Sequence, residues 1–529
     1  MGETNLLTLK IDGREVRVPP GTNLIEAAAS IGIEIPHYCY HKCLSIAGNC
    51  RMCQVKLKGQ DKLVIACNTT AQEGMEVFTH NSSNEVSEAQ TAILEFILVN
   101  HPMDCTICDQ AGHCKLQDYY YQYSSRLSRF EEEKEHKVKG IELGPHVILD
   151  GERCIMCTRC IRFCDEITKT SELGMINRGD RSVIAVNPGK VLDNPLSGTV
   201  VDLCPVGALT HRDWRFNTRI WFTNQTDSIC PGCSTGCNVK VAEREGQVVG
   251  VKARFNEDVN KEWLCDEGRY GFGRILPKQR ILKALINART TEVEEGLLAI
   301  KGMLNGYTGI FVSPDLTLEE YEILRRFLTR YHKGHFNLVL GYRSRELDEV
   351  QSLLMSPDCA ANFRGAEFVG IVKGDLEKQY LESLDKLRKG VFKNILIIGD
   401  RGIFSTDVDE SVLQGMSRAD YSIGFLTNLE SDFSKALKAL FPARSILEKS
   451  GLMINSKDRL QYLNAVVPNP DGTHPHWKLI NMLAKICGDS ISEAISDRDL
   501  TLWYLEMERR LGSLTIAGIK AGGVQLNVK

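Results

Sequence analysis

The sequence predicts a multidomain protein with two unlike halves, in which mixed α+β domains that bind metals are followed by a doubly wound α/β domain. The chain has 529 residues, a length that suggests about three to five domains rather than one core. All but two of its 19 cysteines precede position 266. Strands and helices alternate in the second half, as is typical of a parallel sheet covered on both faces.

Composition excludes several classes of function. The chain is 43% hydrophobic and 25% charged, with a net charge of −4, so it has no basic field to attract nucleic acid. No apolar run approaches the ~18 residues needed to span a bilayer, and the N-terminus lacks a signal-peptide layout. We therefore expect a cytosolic protein that reaches a membrane only through partners. Cysteines in such a compartment rarely form disulfides, and thiolate tetrads suit iron–sulfur clusters or zinc.

The first ligand set follows the elements of a β-grasp ferredoxin, predicted for residues 1–84. Two strands (6–11 and 15–18) precede a helix that Asn23 caps, with Glu26 three residues on, and that Gly32 ends. The ligands then have the spacing C-x10-C-x2-C-x13-C: Cys39, Cys50, Cys53 and Cys67. This spacing has a longer first gap than plant-type ferredoxins. We interpret it as a 2Fe–2S site. The alternative is four-cysteine zinc, and Cys43 is expected to be a spectator.

The second set is predicted in a domain at residues 85–140. A helix over 86–100 ends at His101-Pro102, and the pattern H-x3-C-x2-C-x5-C follows: His101, Cys105, Cys108 and Cys114. Three thiolates would leave the metal site one ligand short, and we expect His101 to be the fourth ligand. A neutral imidazole should raise the potential, as in Rieske centres. The alternatives are that His101 only caps the helix, or that His113 is the ligand.

The third set is predicted in a domain at residues 141–222. Its C-x2-C-x2-C-x3-C run resembles that of bacterial ferredoxins, but Asp165 rather than proline follows Cys164, and the Cys-Pro pair comes at position 204. The simplest assignment closes one 4Fe–4S site and leaves Cys164 spare. Its ligands are Cys154, Cys157, Cys160 and Cys204.

The fourth set lies in a predicted domain at 223–280, and a shortened α/β domain is expected at 281–529. Its ligands are Cys230, Cys233, Cys237 and Cys265. A predicted hairpin of strands 239–245 and 248–253 lies between Cys237 and Cys265. This region looks like the small 4Fe–4S domain that opens molybdopterin oxidoreductases, and residues 448–461 are similar to their E-x-x-G-x-x-x-N…R-x-Q segment.

The α/β domain is predicted from strands at 309–312, 336–340, 368–372, 394–398 and 421–425, with helices at 318–331 and 378–389. No strand is followed by G-x-G-x-x-G, so no dinucleotide fingerprint is present.

The order of the four sets, with segments 45–53, 154–160 and 202–209, closely resembles the large iron–sulfur subunit (the G subunit) of proton-pumping NADH:quinone oxidoreductase, respiratory complex I. The resemblance is strong over 1–280 and weak over 281–529. It implies one 2Fe–2S and three 4Fe–4S clusters, with neither molybdopterin nor FMN on this chain and no independent active site. Electrons would come from a flavin- and NADH-binding partner subunit, pass through the first, third and second sets, and leave towards quinone. The fourth cluster would lie off this path, and the protein would sit peripherally on the cytoplasmic face of a bacterial inner membrane.

Three other functions fit parts of the pattern. A catalytic subunit of an NAD-linked formate dehydrogenase needs a full pterin-binding region and a metal-ligating cysteine, but the first cysteine after Cys265 is Cys359, and no histidine directly follows it to act as a base. The diaphorase subunit of a soluble hydrogenase shares the first three sets and stops before the fourth. A zinc scaffold would have no redox role.

Overall fold

The computed structural model describes residues 6–124, 127–332, 335–404 and 408–526. The chain divides into two compact units, Met1–Thr223 and Asn224–Lys529. Within the described ranges, no helix is both long and apolar enough to cross a membrane.

The first unit opens with a five-stranded mixed sheet and one short helix. The elements are β1 (Leu7–Ile11), β2 (Arg14–Val18), α1 (Leu24–Ala29), β3 (Gln54–Leu57), β4 (Val64–Ile65) and β5 (Glu76–Phe78), and the strand order is β2-β1-β5-β3-β4. Alternate residues of β1 and β2, such as Leu9 and Val16, pack on Leu24 of the helix. The predicted cap is confirmed, since Asn23 Oδ1 accepts from the Glu26 N–H at 3.0 Å. The helix ends at Ala29, three residues before Gly32.

The rest of the first unit is made of short elements between cysteine loops. They are α2 (Asn84–Leu98), α3 (Lys115–Tyr123), β6 (Ile141–Glu142), β7 (Val147–Leu149), α4 (Arg159–Arg162), β8 (Leu173–Ile176), β9 (Val183–Val186), α5 (Thr199–Leu203) and β10 (Leu209–His211). Strands β10, β7 and β6 form an antiparallel sheet, and β8 pairs with β9. Only short segments are regular because the loops that carry the cysteines take up much of this chain length.

The second unit begins with a three-stranded antiparallel sheet and a short helix. These are β11 (Asn224–Ile229), β12 (Asn238–Arg244), β13 (Gln247–Ala253) and α6 (Asp266–Tyr270). The predicted hairpin is confirmed, with Gly246 at its turn in a left-handed conformation (φ +80°).

A seven-stranded sheet follows. Its elements are β14 (Ala284–Ile286), β15 (Arg289–Thr291), α7 (Val293–Ile300), β16 (Thr308–Val312), α8 (Leu318–Tyr331), β17 (Phe336–Leu340), α9 (Phe363–Val369), α10 (Leu376–Arg388), β18 (Asn394–Ile398), α11 (Glu410–Arg418), β19 (Tyr421–Leu426), α12 (Asp432–Lys435) and β20 (Ala439–Pro442). The order is β15-β14-β20-β19-β18-β16-β17. Strands β16 to β20 are parallel and take the order 2-1-3-4-5 of a doubly wound fold.

The chain ends in a small antiparallel sheet with three helices. These are β21 (Gly451–Ile454), β22 (Arg459–Leu463), α13 (His476–Cys487), α14 (Asp497–Met507), α15 (Ile516–Lys520) and β23 (Val524–Gln525).

Both faces of the large sheet are buried. Ile310 and Val312 of β16 face a core shared with α8 and α13, whereas Phe311 between them faces a second core shared with α10 and α11. This alternation is what a strand covered on both sides requires. The predicted doubly wound domain is confirmed.

One predicted element is wrong. The strand expected at 368–372 is instead the end of α9, which stops at Val369. Gly370 follows in a left-handed conformation (φ +80°), and its N–H bonds to the Glu367 carbonyl. Short apolar runs do not distinguish a strand from a buried helix end, and the glycine at this position is a helix stop.

Candidate metal centres

The structure brings the first set of cysteines together. The Cys39 N–H donates to Cys50 Sγ at 3.4 Å, and the Cys53 and Cys67 side chains hydrogen-bond to each other. The Cys50 thiol is hydrogen-bonded to Cys39 and lowers the Cys39 pKa to about 5. The same kind of bond from Cys53 lowers the pKa of Cys67. The same hydrogen bonds raise the pKa of the partner thiols Cys50 and Cys53, so one thiolate is favoured in each pair. The thiolate is the form of cysteine that binds metals.

The loop of the first set turns sharply just before its Cys-x2-Cys pair. Gly48 has φ +61°, and a Cβ there would come within 3.2 Å of Ile65 Cδ1. Arg51, between the two cysteines, is also left-handed (φ +59°).

The second set lies partly at the surface of the first unit. Cys108 is buried, Cys114 is half-buried and Cys105 is exposed. Burial, with smaller contributions from the charges of Cys108 and Cys105, raises the pKa of Cys114 to about 11. The three thiols therefore lie close enough to interact electrostatically.

His101 has the properties of a neutral ligand. Burial lowers its pKa to about 4, so the imidazole is uncharged at neutral pH. Its Nδ1 is buried and makes no hydrogen bond within the part of the chain that the structure describes. The last carbonyls of α2 are instead met by Lys134, whose Nζ donates to Leu98 and Val99 at 2.8 and 2.6 Å. The helix-capping alternative is therefore disfavoured.

The third set lines a single cavity of about 360 Å³. All four cysteines contribute to its wall, and most of the rest of the lining is apolar: Leu149, Ile155, Ile184, Val206, Ala208 and Leu209. Burial raises the pKa of Cys154 to about 12 and of Cys157 to about 11. Cys164 lies on the turn that continues α4 and is not part of the described lining.

The fourth set also lines one cavity, of about 300 Å³. Gly268 is needed there, because a Cβ would lie 2.9 Å from Cys230 Sγ and 3.3 Å from Cys265 Sγ. The Gly268 N–H donates to Cys265 Sγ at 3.3 Å. Such backbone donors stabilise negative charge on the sulfurs.

The motif noted at residues 448–461 holds the loop of the fourth set in place. Asn455 Nδ2 donates to the Thr235 carbonyl at 3.1 Å, and Gln461 Nε2 donates to the Gly236 carbonyl at 3.0 Å. Both side chains are buried. Sequence reasoning identified these two residues by resemblance but did not predict this contact.

Two arginines between the cysteines of the third set tie its loop to the loop of the first. Arg162 Nη2 donates to the Cys39 carbonyl at 2.6 Å and to the Cys157 carbonyl at 3.2 Å. Arg159 bonds the carbonyls of Leu203 and Tyr40 in the same way. Sequence reasoning missed both arginines. The sequence did offer one signal: metal binding explains the spacing of the cysteines in this run, but it does not explain the two arginines between them.

The loops of the second and third sets come close together at a glycine. Gly207 follows the Cys204-Pro205 pair, and a Cβ on it would lie 2.2 Å from Cys108 Sγ. Nearby, the buried Arg153 pairs with Asp104 at 3.0 Å and lies next to Cys154 in sequence. The backbone at Gly207 packs directly against the Cys108 side chain, and any side chain at position 207 would push the two loops apart.

These sets fit clusters in their donor chemistry and their size. A single zinc ion needs its sulfurs about 3.8 Å apart, from a Zn–S bond of ~2.3 Å. Among the described residues, no three His, Cys, Asp or Glu side chains are gathered as a single metal ion requires. A cluster places several irons and sulfides between its ligands, so it suits the wider thiol-lined cavities of the third and fourth sets.

Four family models match successive segments, each of which contains one ligand set. They are the 2Fe-2S iron-sulfur cluster binding domain (4–82), the NADH-ubiquinone oxidoreductase-G iron-sulfur binding region (90–129), the NADH-quinone oxidoreductase subunit 3 ferredoxin-like domain (144–210) and the molybdopterin oxidoreductase Fe4S4 domain (223–276). These four segments are therefore similar to iron–sulfur domains, two of which are described as parts of NADH-quinone or NADH-ubiquinone oxidoreductase. This result confirms the predicted order of a 2Fe–2S domain, 4Fe–4S regions and a molybdopterin-type cluster domain.

Relatives named as subunits of NADH-quinone or NADH-ubiquinone oxidoreductase match half of the chain or more. The NADH-quinone oxidoreductase G subunit of Streptomyces coelicolor is 37% identical over 331 residues, which cover 61% of this chain and 39% of the relative. The NADH-ubiquinone oxidoreductase 75 kDa subunit of Reclinomonas americana is 41% identical over 53% of this chain and 40% of its own length. The G subunit of Rickettsia bellii is 40% identical over 50% and 39%. The chain thus spans about two fifths of the length of these relatives.

A solved chain titled "Crystal structure of NAD+-reducing [NiFe]-hydrogenase in the H2-reduced state" also matches. Its TM-score is 0.37 and its sequence identity 28%, over 40% of this chain and 91% of that chain. A match this loose carries no argument about function.

Proposed function

We propose that this chain is an electron-transfer subunit of an NADH:quinone oxidoreductase of the complex I type. It receives single electrons from a flavin-bearing, NADH-binding partner subunit and passes them towards quinone. The chain itself provides no catalytic residue. The observation that supports this most strongly is that the loops of the first three ligand sets contact one another within one compact unit.

The proposed ligands are the sixteen residues predicted from spacing. A 2Fe–2S cluster is assigned to Cys39, Cys50, Cys53 and Cys67. Three 4Fe–4S clusters are assigned to His101, Cys105, Cys108 and Cys114; to Cys154, Cys157, Cys160 and Cys204; and to Cys230, Cys233, Cys237 and Cys265. Cys43 and Cys164 are left outside these sets.

The contacts between loops support a route from the first set to the third and then to the second. Bound clusters would supply reversible one-electron chemistry, and the residues of this chain hold them in place and keep water out. Arg162 fixes the first loop against the third, and Gly207 lets the third loop approach the second. Electrons would enter at Cys39–Cys67 and leave from the exposed Cys105 end.

The fourth set is proposed to stabilise the second unit rather than to carry the main electron flow. Its loop is held by Asn455 and Gln461 of the terminal sheet. The Ser456 N–H also donates to the Ser234 carbonyl at 2.8 Å. A cluster bound here would therefore link the start of the unit to its last third. No pterin is assigned to this chain.

The proposed setting rests on the resemblance to complex I. The chain would assemble with the other peripheral subunits of the complex and touch the membrane only through them, on the cytoplasmic face of a bacterial inner membrane. It would not bind nucleic acid.

Cysteine variants test the assignment one set at a time. The full chain, reconstituted with iron and sulfide, is reduced stepwise and followed by electron paramagnetic resonance (EPR). Cys53→Ala should remove a 2Fe–2S signal, and Cys157→Ala should remove a 4Fe–4S signal, while Cys43→Ala and Cys164→Ala should leave every signal in place. If Cys164→Ala removes a cubane signal that Cys204→Ala keeps, the third set is assigned wrongly.

The catalytic formate dehydrogenase alternative has one structural observation to test. Cys359 lies close enough to Cys233 and Arg345 for their charges to act on its thiol, although burial is the largest cause that raises its pKa. Molybdenum or tungsten near one atom per chain in purified, iron-replete protein would favour that alternative. Its absence from such a sample would favour the electron-transfer subunit.

A further inference from the structure

A polar cavity lies where the strand order of the large sheet reverses. Ligands of open α/β sheets bind beyond the carboxyl ends of the strands at this point. Here the point lies between β16 and β18, and a cavity of about 310 Å³ occupies it. Asp315 follows β16, Asp400 follows β18 and Thr427 follows β19, and all three line the cavity.

Most charges around this cavity are already paired. Arg401 Nη1 lies 2.8 Å from Asp315 Oδ2. The buried Lys449 makes an ion pair with Glu320. Within each pair the two charges neutralise each other. These four side chains therefore have little affinity for an additional ion.

Three polar groups in the wall are not satisfied. The Arg444 guanidinium makes no hydrogen bond or ion pair with any described residue, and its Nε is buried. The same is true of Asp400 Oδ1, although Oδ2 accepts from the Thr427 N–H at 2.8 Å. His476 is 3% exposed; its Nε2 has no described partner and its Nδ1 lies 3.6 Å from Glu320. A buried polar group without a hydrogen-bond partner destabilises the fold, so each of these groups favours a bound partner.

A second, larger cavity shares the Arg444 side chain as part of its wall. Its volume is about 770 Å³ including its open mouth, within the size range of small-molecule sites. Lys478 and Arg498 also line it and are exposed, and neither makes an ion pair or side-chain hydrogen bond with a described residue. The one acid in the lining, Asp497, already accepts from the Ser450 N–H and from Trp477 Nε1.

We propose that these two cavities form a binding site for a small phosphate-bearing anion, anchored by Arg444 between them. An oxyanion would accept hydrogen bonds from the planar Arg444 guanidinium, which suits phosphate geometry, and from His476 Nε2–H in the inner cavity. A second anionic group would lie against Lys478 and Arg498 in the outer cavity. Arg444, Lys478 and Arg498 have no ion-pair partner among the described residues. The carboxylates of Asp400 in the inner cavity and Asp497 in the outer cavity are the charges that oppose them.

This site is independent of the iron–sulfur function, and titration calorimetry on the full, cluster-loaded chain tests it. The probes are inorganic phosphate and pyrophosphate at constant ionic strength. Both should bind, with pyrophosphate at least tenfold tighter because it reaches the outer cations. Arg444→Gln should weaken both at least tenfold, and Lys478→Gln should weaken mainly pyrophosphate.

The matched control is Arg289→Gln, which removes an exposed arginine on β15 of the same unit. It should leave both affinities within twofold of the parent chain. Thermal unfolding of each variant without phosphate shows whether it is folded. The proposal is overturned if neither probe binds, so that ordered water alone fills the site, or if folded Arg444→Gln binds as the parent does. Equal losses in Arg444→Gln and Arg289→Gln would also overturn it, because they would mean a general charge effect.

Discussion

Among single residues, His101 makes the most specific claim, because it is the one nitrogen ligand proposed beside fifteen thiolates. Its buried Nδ1, which has no partner among the described residues, and its pKa of about 4 both describe a neutral imidazole. The alternative that His101 only caps the helix is disfavoured, since Lys134 donates to the last carbonyls of α2. The alternative that His113 is the ligand stays open.

We predict that His101→Cys lowers the reduction potential of one cubane. A thiolate adds a negative charge to the site, so the reduced state is less stable, by roughly 100 mV or more from the difference between histidine- and cysteine-ligated centres. EPR during a redox titration measures the shift, and the other signals should not move. His113→Cys is the control, and if it moves the cubane while His101→Cys does not, the ligand is His113.

We predict that Gly207→Ala destroys the second site. Its Cβ would lie 2.2 Å from Cys108 Sγ, so the cysteine must move or the two loops must separate. Iron analysis should show a loss of about four atoms per chain, the content of one cubane. Gly189→Ala is the control, because nothing lies within 4 Å of its Cβ although its φ is +75°. Full iron content in Gly207→Ala would contradict the contact.

At the scale of elements, helix α4 joins two cysteine loops that are far apart in sequence. We predict that Arg162→Gln loosens them, because it removes the shared donor to Cys39 and Cys157. The readout is the spin relaxation of the reduced 2Fe–2S signal, which a nearby reduced cubane accelerates. Relaxation should slow in Arg162→Gln and stay unchanged in Arg178→Gln, an exposed control in the same unit. Equal relaxation in both would show that the arginine does not set the distance.

Helix α8 carries a buried carboxyl that makes stability depend on pH. Glu319 accepts from the Leu452 N–H and from Thr501 Oγ1, yet burial raises its pKa to about 7. The folded state therefore holds this proton more tightly than the unfolded state. Its contribution is complete below about pH 4.5 and is lost as pH rises through about 7, by roughly 3 kcal/mol.

Urea unfolding of Glu319→Gln checks this dependence. The variant should lose less stability than the parent chain between pH 4.5 and 7, because its amide does not titrate. The exposed Glu377→Gln should keep the parental slope. Parallel pH profiles for the parent and Glu319→Gln would contradict a raised pKa.

Sequence patterns predict elements well where the signals are local. Helix α8 has the predicted bounds, and its capping box of Thr317 and Glu320 lies within four residues. At 368–372, where a strand was wrongly predicted, the only local signal for a helix end is Gly370, which follows α9. The ligand sets were recognisable because most of their cysteines are neighbours in sequence. The contacts of Arg162, Gly207 and Asn455 could not be predicted from sequence patterns, because each joins residues about 100 or more positions apart.

At the scale of the whole molecule, the proposed metal sites are divided between the two compact units. The first unit holds three proposed ligand sets whose loops are in contact through Arg162 and Gly207, as a relay requires. The second unit holds one proposed ligand set, whose loop is held by residues of the same unit. Its doubly wound domain has a cavity where the strand order of the large sheet reverses. The central claim is that all four sets bind clusters in one chain that has no catalytic site.

The most direct test is a redox titration of the full reconstituted chain, followed by EPR and by iron analysis. The account predicts about fourteen iron atoms per chain and four separate signals, one from a 2Fe–2S centre and three from cubanes. A colourless protein that contains zinc in place of iron, or one with a single cluster signal, would contradict it.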